Sequence, residues 1–185
     1  MNYEALIQAA LDCGASKATI INNDQIVLSE EVRKMCAANR CGIYGKCWVC
    51  PPDVGIIEDC MATVRRFPKG LLYQRYSDLE DSFDIEGMQE AKKEFVAVGQ
   101  RLNERIKELL EGEYLHLSGG GCGLCKVCTK VTGEPCRFPE KALSSVEAYG
   151  VDVYNTTRST ELKYINGQDT VTYFGMVLFE EEEDG

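Results

Sequence analysis

The feature that most constrains this chain is a run of cysteines and glycines past its middle, GGGCGLCKVCTKVTGEPCRFP at residues 119–139. Its four cysteines occupy fifteen positions and are Cys122, Cys125, Cys128 and Cys136. Zinc sites usually take two cysteines from each of two well-separated knuckles. Three cysteines at overlapping spacing are instead suited to an iron–sulfur cluster, where each thiolate binds a different iron atom. The glycines allow the backbone to wrap closely around such a body.

A second cysteine-rich stretch lies upstream and reads CAANRCGIYGKCWVCPP at residues 36–52. Its cysteines are Cys36, Cys41, Cys47 and Cys50, and Cys60 follows on the next predicted helix. Cys50 directly precedes a proline, a pairing that recurs at iron–sulfur sites because the ring stiffens the ligand loop. Tyr44 and Trp48 could exclude water from a bound metal. The sequence therefore predicts two metal-binding loops, at residues 36–60 and 119–139.

The alternative use of ten cysteines is a set of disulfides. Residues 1–15 form an amphipathic stretch that lacks the basic start and the apolar centre of a signal peptide. No stretch is apolar over the length of a membrane span. Clustered cysteines in such a chain indicate metal binding before they indicate disulfides. We therefore expect a cytoplasmic protein that does not enter a membrane.

The charge of the chain argues against a nucleic-acid partner and permits a basic protein partner. It has 20 basic and 30 acidic side chains and a net charge of −10, with no basic run or stripe. Binding to a nucleic-acid backbone is therefore not expected. An acidic surface permits docking to a basic redox partner protein, although solubility explains the same composition. The sequence carries no indication of an oligomeric state.

The predicted elements indicate an α/β fold made of a small mixed sheet with helices packed on it and the two cysteine loops at its edge. We expect one domain over residues 1–185, ending in an acidic tail at 180–185. Helical periodicity or capping predicts helices at 3–13, from Ser29 to Cys36, and at 56–67, 85–110 and 140–149. Strand patterns occur at 70–76, 113–118 and 171–179, and residues 18–21 and 26–28 form a predicted hairpin.

The two cysteine stretches resemble a family of predicted metal-binding proteins, domain of unknown function 2284. Its first pattern is present as Cys36, as Cys41-Gly42-Ile43-Tyr44-Gly45-Lys46 and as Cys50-Pro51-Pro52. The second is present as Cys122, Cys125 and Cys128, then Pro135-Cys136-Arg137, then SVEAYGVDV at residues 145–153. The resemblance runs from about Val32 to Leu178. It implies metal or iron–sulfur binding and supplies no reaction.

The predicted metal ligands follow from the spacing and the resemblance together. The family pattern does not include Cys47, so the fourth upstream ligand is either Cys47 or Cys60, and we predict Cys60. The full predicted set is Cys36, Cys41, Cys50, Cys60, Cys122, Cys125, Cys128 and Cys136. The expected cofactor is one or two [4Fe–4S] clusters, with zinc as the alternative.

Three functions fit these features. The first is a redox or accessory protein that passes electrons to or from a partner enzyme. The second is a structural zinc protein with an interaction surface, and the third is a cluster enzyme with an open iron site. We favour the first, without independent catalysis, because His116 is the only histidine and no carboxylate pair lies in an acid–base motif. We expect His116 to fill a half-buried position, with a ligand or proton-relay role as the alternative, and Cys13 to be a buried apolar residue. Arg137 either balances the charge of a cluster or is a surface residue.

Overall fold

The computed structural model describes residues 2–181 and has the predicted α/β fold. The helices are α1 (Tyr3–Asp12), α2 (Glu30–Ala37), α3 (Ile57–Arg66), α4 (Ile85–Leu109) and α5 (Val153–Thr157). The strands are β1 (Lys17–Asn22), β2 (Lys69–Asp78), β3 (Tyr114–Ser118), β4 (Ser144–Ser145) and β5 (Thr170–Phe179). They form one five-stranded sheet in the order β1-β2-β5-β3-β4, mixed because β3 and β4 are parallel and the other pairs antiparallel.

The centre of the sheet is the long pair β2–β5, in register from Lys69 opposite Phe179 to Asp78 opposite Thr170. Successive side chains of a strand point to opposite faces of the sheet. Leu71 therefore packs on one face and Leu72 on the other, and both are fully buried. Helices or loops cover both faces, so the strands read as continuous apolar runs in the sequence.

Each face of the sheet has its own apolar core. Helices α1 and α4 cover one face through buried residues that recur at helical spacing, including Leu6, Ala10, Phe95, Val98, Leu102 and Ile106. Helix α3 and residues 146–162 cover the other face, through side chains such as Val64, Phe67, Val146, Val151, Val153 and Leu162. The molecule is thus a three-layer sandwich, which leaves the ends of the strands for the cysteine loops.

The start of each of three helices is fixed by a side-chain cap. Asn2 accepts a hydrogen bond from the backbone of Ala5 at 3.1 Å, and Asp84 accepts one from Gly87 at 2.8 Å. Ser29 accepts from the backbone N–H of Glu31 at 3.2 Å, which confirms the cap predicted for α2. Helix α2 ends just after Cys36, so this cap sets where the upstream cysteine loop begins.

Two predicted elements are wrong. The hairpin at residues 18–28 does not form: β1 pairs with β2, and Leu28 makes only a single bridge to Val151. The cause is Asn23, whose side chain donates to the carbonyls of Val64 at 2.9 Å and Phe67 at 2.7 Å. These bonds hold the turn after β1 against the end of α3.

The helix predicted at residues 140–149 is also absent. The segment contains β4 and then a 3₁₀ turn at Glu147–Tyr149. Sheet pairing takes precedence over helical periodicity here, because the N–H of Val146 donates to the carbonyl of Ser118 at 2.9 Å beside β3.

Two further sequence predictions concern the acidic tail and the absence of a membrane-spanning helix. Residues 182–185 of the predicted acidic tail lie outside the described residues. Glu181, at the tail's start, accepts a hydrogen bond from the Tyr3 hydroxyl at 2.6 Å and pairs with Lys69 at 3.5 Å. Among residues 2–181, none of the helices combines the length and the apolar character needed to cross a membrane.

Candidate metal centre

The two cysteine loops are in contact with each other beyond the end of β3. The indole N–H of Trp48 donates to the carbonyl of Glu134 at 3.0 Å. The ammonium of Lys130 lies over the Trp48 ring, 4.3 Å from its centroid, and forms an ion pair with Asp53. These contacts join the upstream loop to the downstream loop, although more than eighty residues separate Trp48 from Glu134 in the chain.

The backbone conformation of the downstream loop favours glycine at Gly121, which faces the upstream loop. Gly121 has a φ of +83°, a conformation that side chains disfavour. A Cβ atom at this position would lie 2.6 Å from Cδ1 of Ile43 and 3.7 Å from the sulfur of Cys50. The backbone of the downstream loop therefore approaches the upstream cysteines in a way that only glycine permits.

Hydrogen bonds within the downstream loop fix its shape. The Thr129 hydroxyl donates to the carbonyl of Pro135 at 2.9 Å, and Arg137 donates to the carbonyl of Val127 at 3.4 Å. The backbone N–H of Phe138 points at the sulfur of Cys136, 3.4 Å away. N–H groups directed at ligand sulfurs stabilise negative charge on them, which is a common feature of iron–sulfur sites.

Residues of both loops line a cavity of about 310 Å³, which we call the downstream cavity. Five thiols line it, from Cys47, Cys122, Cys125, Cys128 and Cys136. No histidine, aspartate or glutamate of the described chain is among its lining residues, whereas Lys46, Lys92 and Lys126 are. The donor set is thus entirely sulfur, with cationic side chains around it.

The thiols of this cavity influence one another. Hydrogen bonds from the Cys122 and Cys50 thiols hold the pKa of Cys47 below its usual range, because they stabilise its thiolate. The same contacts, together with burial, raise the pKa of Cys50 and of Cys122. Cys47 therefore affects the protonation of a cysteine in each loop, Cys50 in the upstream loop and Cys122 in the downstream loop.

The upstream cavity has a volume of about 410 Å³ and is lined by Cys36, Cys41 and Cys50. Its lining also includes Glu147, Tyr44, Tyr173 and the exposed Arg40. Burial raises the pKa of Cys36, and the neighbouring Glu147 carboxylate acts in the same direction. Burial also raises the pKa of Glu147 itself. Three thiols and one carboxyl group therefore surround this space.

Cys60, predicted as an upstream ligand, lines neither cavity. It is buried on α3, where its sulfur lies 3.7 Å from Nη1 of Arg33 and 3.9 Å from the carbonyl of Val54. Arg33 in turn donates to the carbonyls of Ala148 and Gly55, both at 2.6 Å. Cys60 thus belongs to an arginine-centred contact that ties α2, α3 and the turn at Ala148 together.

Comparison with known families settles what kind of protein carries these cavities. The family model described as predicted metal-binding protein (DUF2284) matches residues 19–179, which is most of the chain. The chain belongs to this family. No curated protein and no solved structure matches it. The family description supports metal binding and names neither the metal nor a reaction.

The family is described as predicted to bind metal, and eight of the ten cysteines line the two cavities. Within residues 2–181, no group of three or more histidine, cysteine, aspartate or glutamate side chains converges as the ligands of a single metal ion. The cysteines surround two spaces instead, and thiolates are the donors that select zinc and iron–sulfur clusters. The donor chemistry of the cavities therefore fits a thiolate-bound metal group. All ten cysteines are free of disulfide bonds.

His116 lies apart from the cavities, in the core between β3 and α4. Its Nδ1 lies 3.1 Å from the side-chain oxygen of Asn103, and its Nε2 lies 2.8 Å from the Tyr73 hydroxyl. The oxygen can only accept, so Nδ1 carries the proton and Nε2 accepts from Tyr73. Burial lowers the pKa of His116 to about 3. It is more deeply buried than the sequence suggested, and it is a neutral core residue.

The sequence did not indicate that Glu147 and Lys92 line the cavities. Lys92 lies on α4, about thirty residues before the loop, and its methylene carbons pack against Gly120. Lys92 has no characteristic spacing from the cysteines, so its position in the cavity could not be predicted from the sequence. Glu147 had a detectable signature, because it lies between the apolar residues Val146 and Ala148, both of which are fully buried. Cys13 is buried in the α1–α4 core, as predicted.

Proposed function

We propose that this protein carries [4Fe–4S] clusters in both cavities and passes electrons singly between partner proteins. The observation that carries this proposal is the group of five thiols in the lining of the downstream cavity, together with three lysines. A [4Fe–4S] cluster supplies one-electron chemistry when it is bound, and it needs four ligands that each reach a different iron atom. Cysteines distributed around a space provide that arrangement.

In the downstream cavity we propose Cys122, Cys125, Cys128 and Cys136 as ligands. They lie in one short loop, so little chain entropy is lost when all four bind the same body. Cys47 lies within hydrogen-bonding distance of Cys122 and Cys128. We propose that Cys47 contacts the ligand sulfurs and modifies their electrostatic environment without becoming a fifth ligand.

The residues around the downstream cavity fit electron transfer better than general acid–base catalysis. Lys46, Lys92 and Lys126 offset the negative charge of a cluster with four thiolate ligands. General acid–base catalysis most often uses a histidine or a carboxyl group near the reacting atoms. The lining of the downstream cavity contains no carboxyl or imidazole group in the described chain. The side chains of Trp48 and Phe138 limit the access of water, which tunes the potential of a bound cluster.

The charge near the cysteines is opposite to that of the whole protein. The chain carries a net charge of −10, yet residues 32–52 contain no aspartate or glutamate and carry the basic residues Arg33, Lys34, Arg40 and Lys46. Residues 119–142 contain four basic and two acidic residues. We propose that the redox partner docks here through an acidic face, in contrast to the basic partner that the net charge suggests.

Exposed apolar residues lie within this basic region. Val127, Val131 and Phe138 are 59%, 58% and 44% exposed, and all three line the downstream cavity. An apolar centre with a charged rim is the usual composition of a protein interface. Docking at this surface would bring a partner's redox centre next to the downstream cysteines, since the same residues form the wall of their cavity.

Small redox reagents test this local charge without knowledge of the partner. The rate at which ferricyanide, an anion, oxidises the reduced protein should fall as salt is added, because screening weakens the attraction. Oxidation by the cation tris(phenanthroline)cobalt(III) should show the opposite trend. Lys126→Gln should slow the ferricyanide reaction. The control Lys93→Gln removes the same charge from an exposed lysine that pairs with Glu90, and it should have little effect. Equal effects of the two variants would refute the proposed docking surface.

A reductive titration tests the redox function itself. Dithionite is added in steps to anaerobic protein, and electron paramagnetic resonance records the spin signals. Two one-electron signals that do not respond to small metabolites support the proposal. A signal that shifts when a metabolite is added indicates a substrate at an open iron and contradicts a pure carrier function. A protein that holds zinc gives no signal, which favours a structural zinc protein.

A further inference from the structure

Glu147 is the carboxyl group that lines the upstream cavity. Its backbone forms the start of the 3₁₀ turn at Glu147–Tyr149, and its side chain lies on the same cavity wall as the three cysteines Cys36, Cys41 and Cys50. Arg33 holds the turn through the Ala148 carbonyl at 2.6 Å. The Ser145 hydroxyl holds it through the Ala148 N–H at 3.2 Å. The carboxyl group is therefore presented to the cavity by a fixed backbone.

In the described part of the chain, no lysine or arginine forms an ion pair with the carboxyl group of Glu147. The side chain lines the cavity and is only partly exposed, so protein atoms exclude much of the water around its charge. A desolvated carboxylate without a counter-charge is unfavourable. A metal in the cavity would supply that charge.

We propose that Glu147 is the fourth ligand of the upstream metal group, alongside Cys36, Cys41 and Cys50. This inference rests on the proposed function, because it assumes a cluster in this cavity. Cys60, the ligand predicted from sequence, lines neither cavity and contacts Arg33 and the Val54 carbonyl instead. Cys47 lines the downstream cavity. Glu147 supplies the carboxyl group in the lining of the upstream cavity, where Arg40, Tyr44 and Tyr173 also lie.

A carboxylate ligand gives the two clusters different properties. Replacement of cysteine ligands by a less electron-donating ligand raises the reduction potential of an iron–sulfur centre, as histidine does in Rieske proteins. The upstream cluster, with three thiolates and one carboxylate, is therefore expected to have the higher potential of the two. Electrons would then pass from the downstream cluster, under the partner surface, toward the upstream one.

Three variants test this assignment on anaerobically prepared full-length protein. Glu147→Ala should remove or convert the signal of one cluster in electron paramagnetic resonance and lower the iron content, while the other signal stays unchanged. Glu147→Cys should restore full iron and lower the potential of the upstream cluster, because a fourth thiolate replaces the carboxylate. The control Glu140→Ala removes an exposed carboxyl group from the downstream loop and should leave iron and spectra as in the wild type.

The outcomes separate this inference from the proposed function. If Glu147→Ala keeps full iron with unchanged spectra, or if Glu147→Cys leaves the upstream potential unchanged, Glu147 is not a ligand even though the clusters are present. If the wild type binds no iron, the proposed function fails first. Cys60→Ser is the positive test of the alternative. Loss of the upstream signal in that variant would return the ligand role to Cys60, and an unchanged signal supports Glu147.

Discussion

The buried His116 should make the stability of the fold depend on pH in a predictable direction. In the folded chain burial lowers the pKa of His116 to about 3, against the ordinary value of 6.5 for histidine. Between these two values the unfolded chain binds a proton that the folded chain does not bind. The full stabilisation is therefore present above about pH 6.5, and it is lost as the pH falls toward about 3.

The magnitude follows from the two pKa values. At about pH 4.5, proton binding by the unfolded chain alone costs the folded state about 3 kcal/mol relative to neutral pH. His116→Gln is the matched variant, because glutamine can still accept a hydrogen bond from Tyr73 and donate one to Asn103 but does not titrate. The variant should lack this contribution while it keeps the hydrogen-bond network.

The assay is urea unfolding followed by far-ultraviolet circular dichroism, for both proteins at about pH 7 and pH 4.5. The wild type should lose about 3 kcal/mol more than His116→Gln on acidification. Contributions from carboxyl groups and from metal release at low pH act on both proteins and cancel in the comparison. Equal losses, within about 0.5 kcal/mol, would show that His116 is not a neutral core residue.

Three further predictions concern the cysteines and the sheet. Cys125→Ser should remove about half of the bound iron, because it breaks only the downstream set; unchanged iron in elemental analysis would contradict that ligand assignment. Cys47→Ser should keep the iron content but shift the potential of the downstream cluster in a redox titration, and a loss of iron would make Cys47 a ligand. Gly175→Ala should destabilise the fold by about 1–3 kcal/mol in urea unfolding, because its Cβ would lie 2.3 Å from the ring of Tyr73. A change below about 0.5 kcal/mol would show that the ring moves aside at little cost.

The long regular elements could be predicted from the sequence because their apolar periodicity matches the faces they bury. Helix α4 has one apolar stripe along its length, and the second half of β5, from Phe174 to Phe179, is buried in the sheet. Elements defined by contacts far apart in the chain could not be predicted. The side chain of Asn23 is bound by the end of α3, and β4 forms only because Leu117 and Ser118 are already in place beside it.

The candidate metal site could likewise be predicted from the sequence only in part. Spacing identified the cysteines of both loops, because thiolate ligands lie close together in sequence. It could not assign them to cavities, since Cys47 and Cys50 are three residues apart and line different ones. Cys60 is close to the upstream cysteines in sequence, yet α3 directs it toward Arg33. Glu147, almost a hundred residues from Cys50, reaches the upstream cavity only through the turn after β4.

The most direct test of two iron–sulfur clusters is metal and sulfide analysis of the protein purified without oxygen. Two [4Fe–4S] clusters predict about eight iron atoms and eight acid-labile sulfides per chain, with broad visible absorption that dithionite bleaches. A colourless protein that holds zinc and no labile sulfide would contradict the assignment of both cavities.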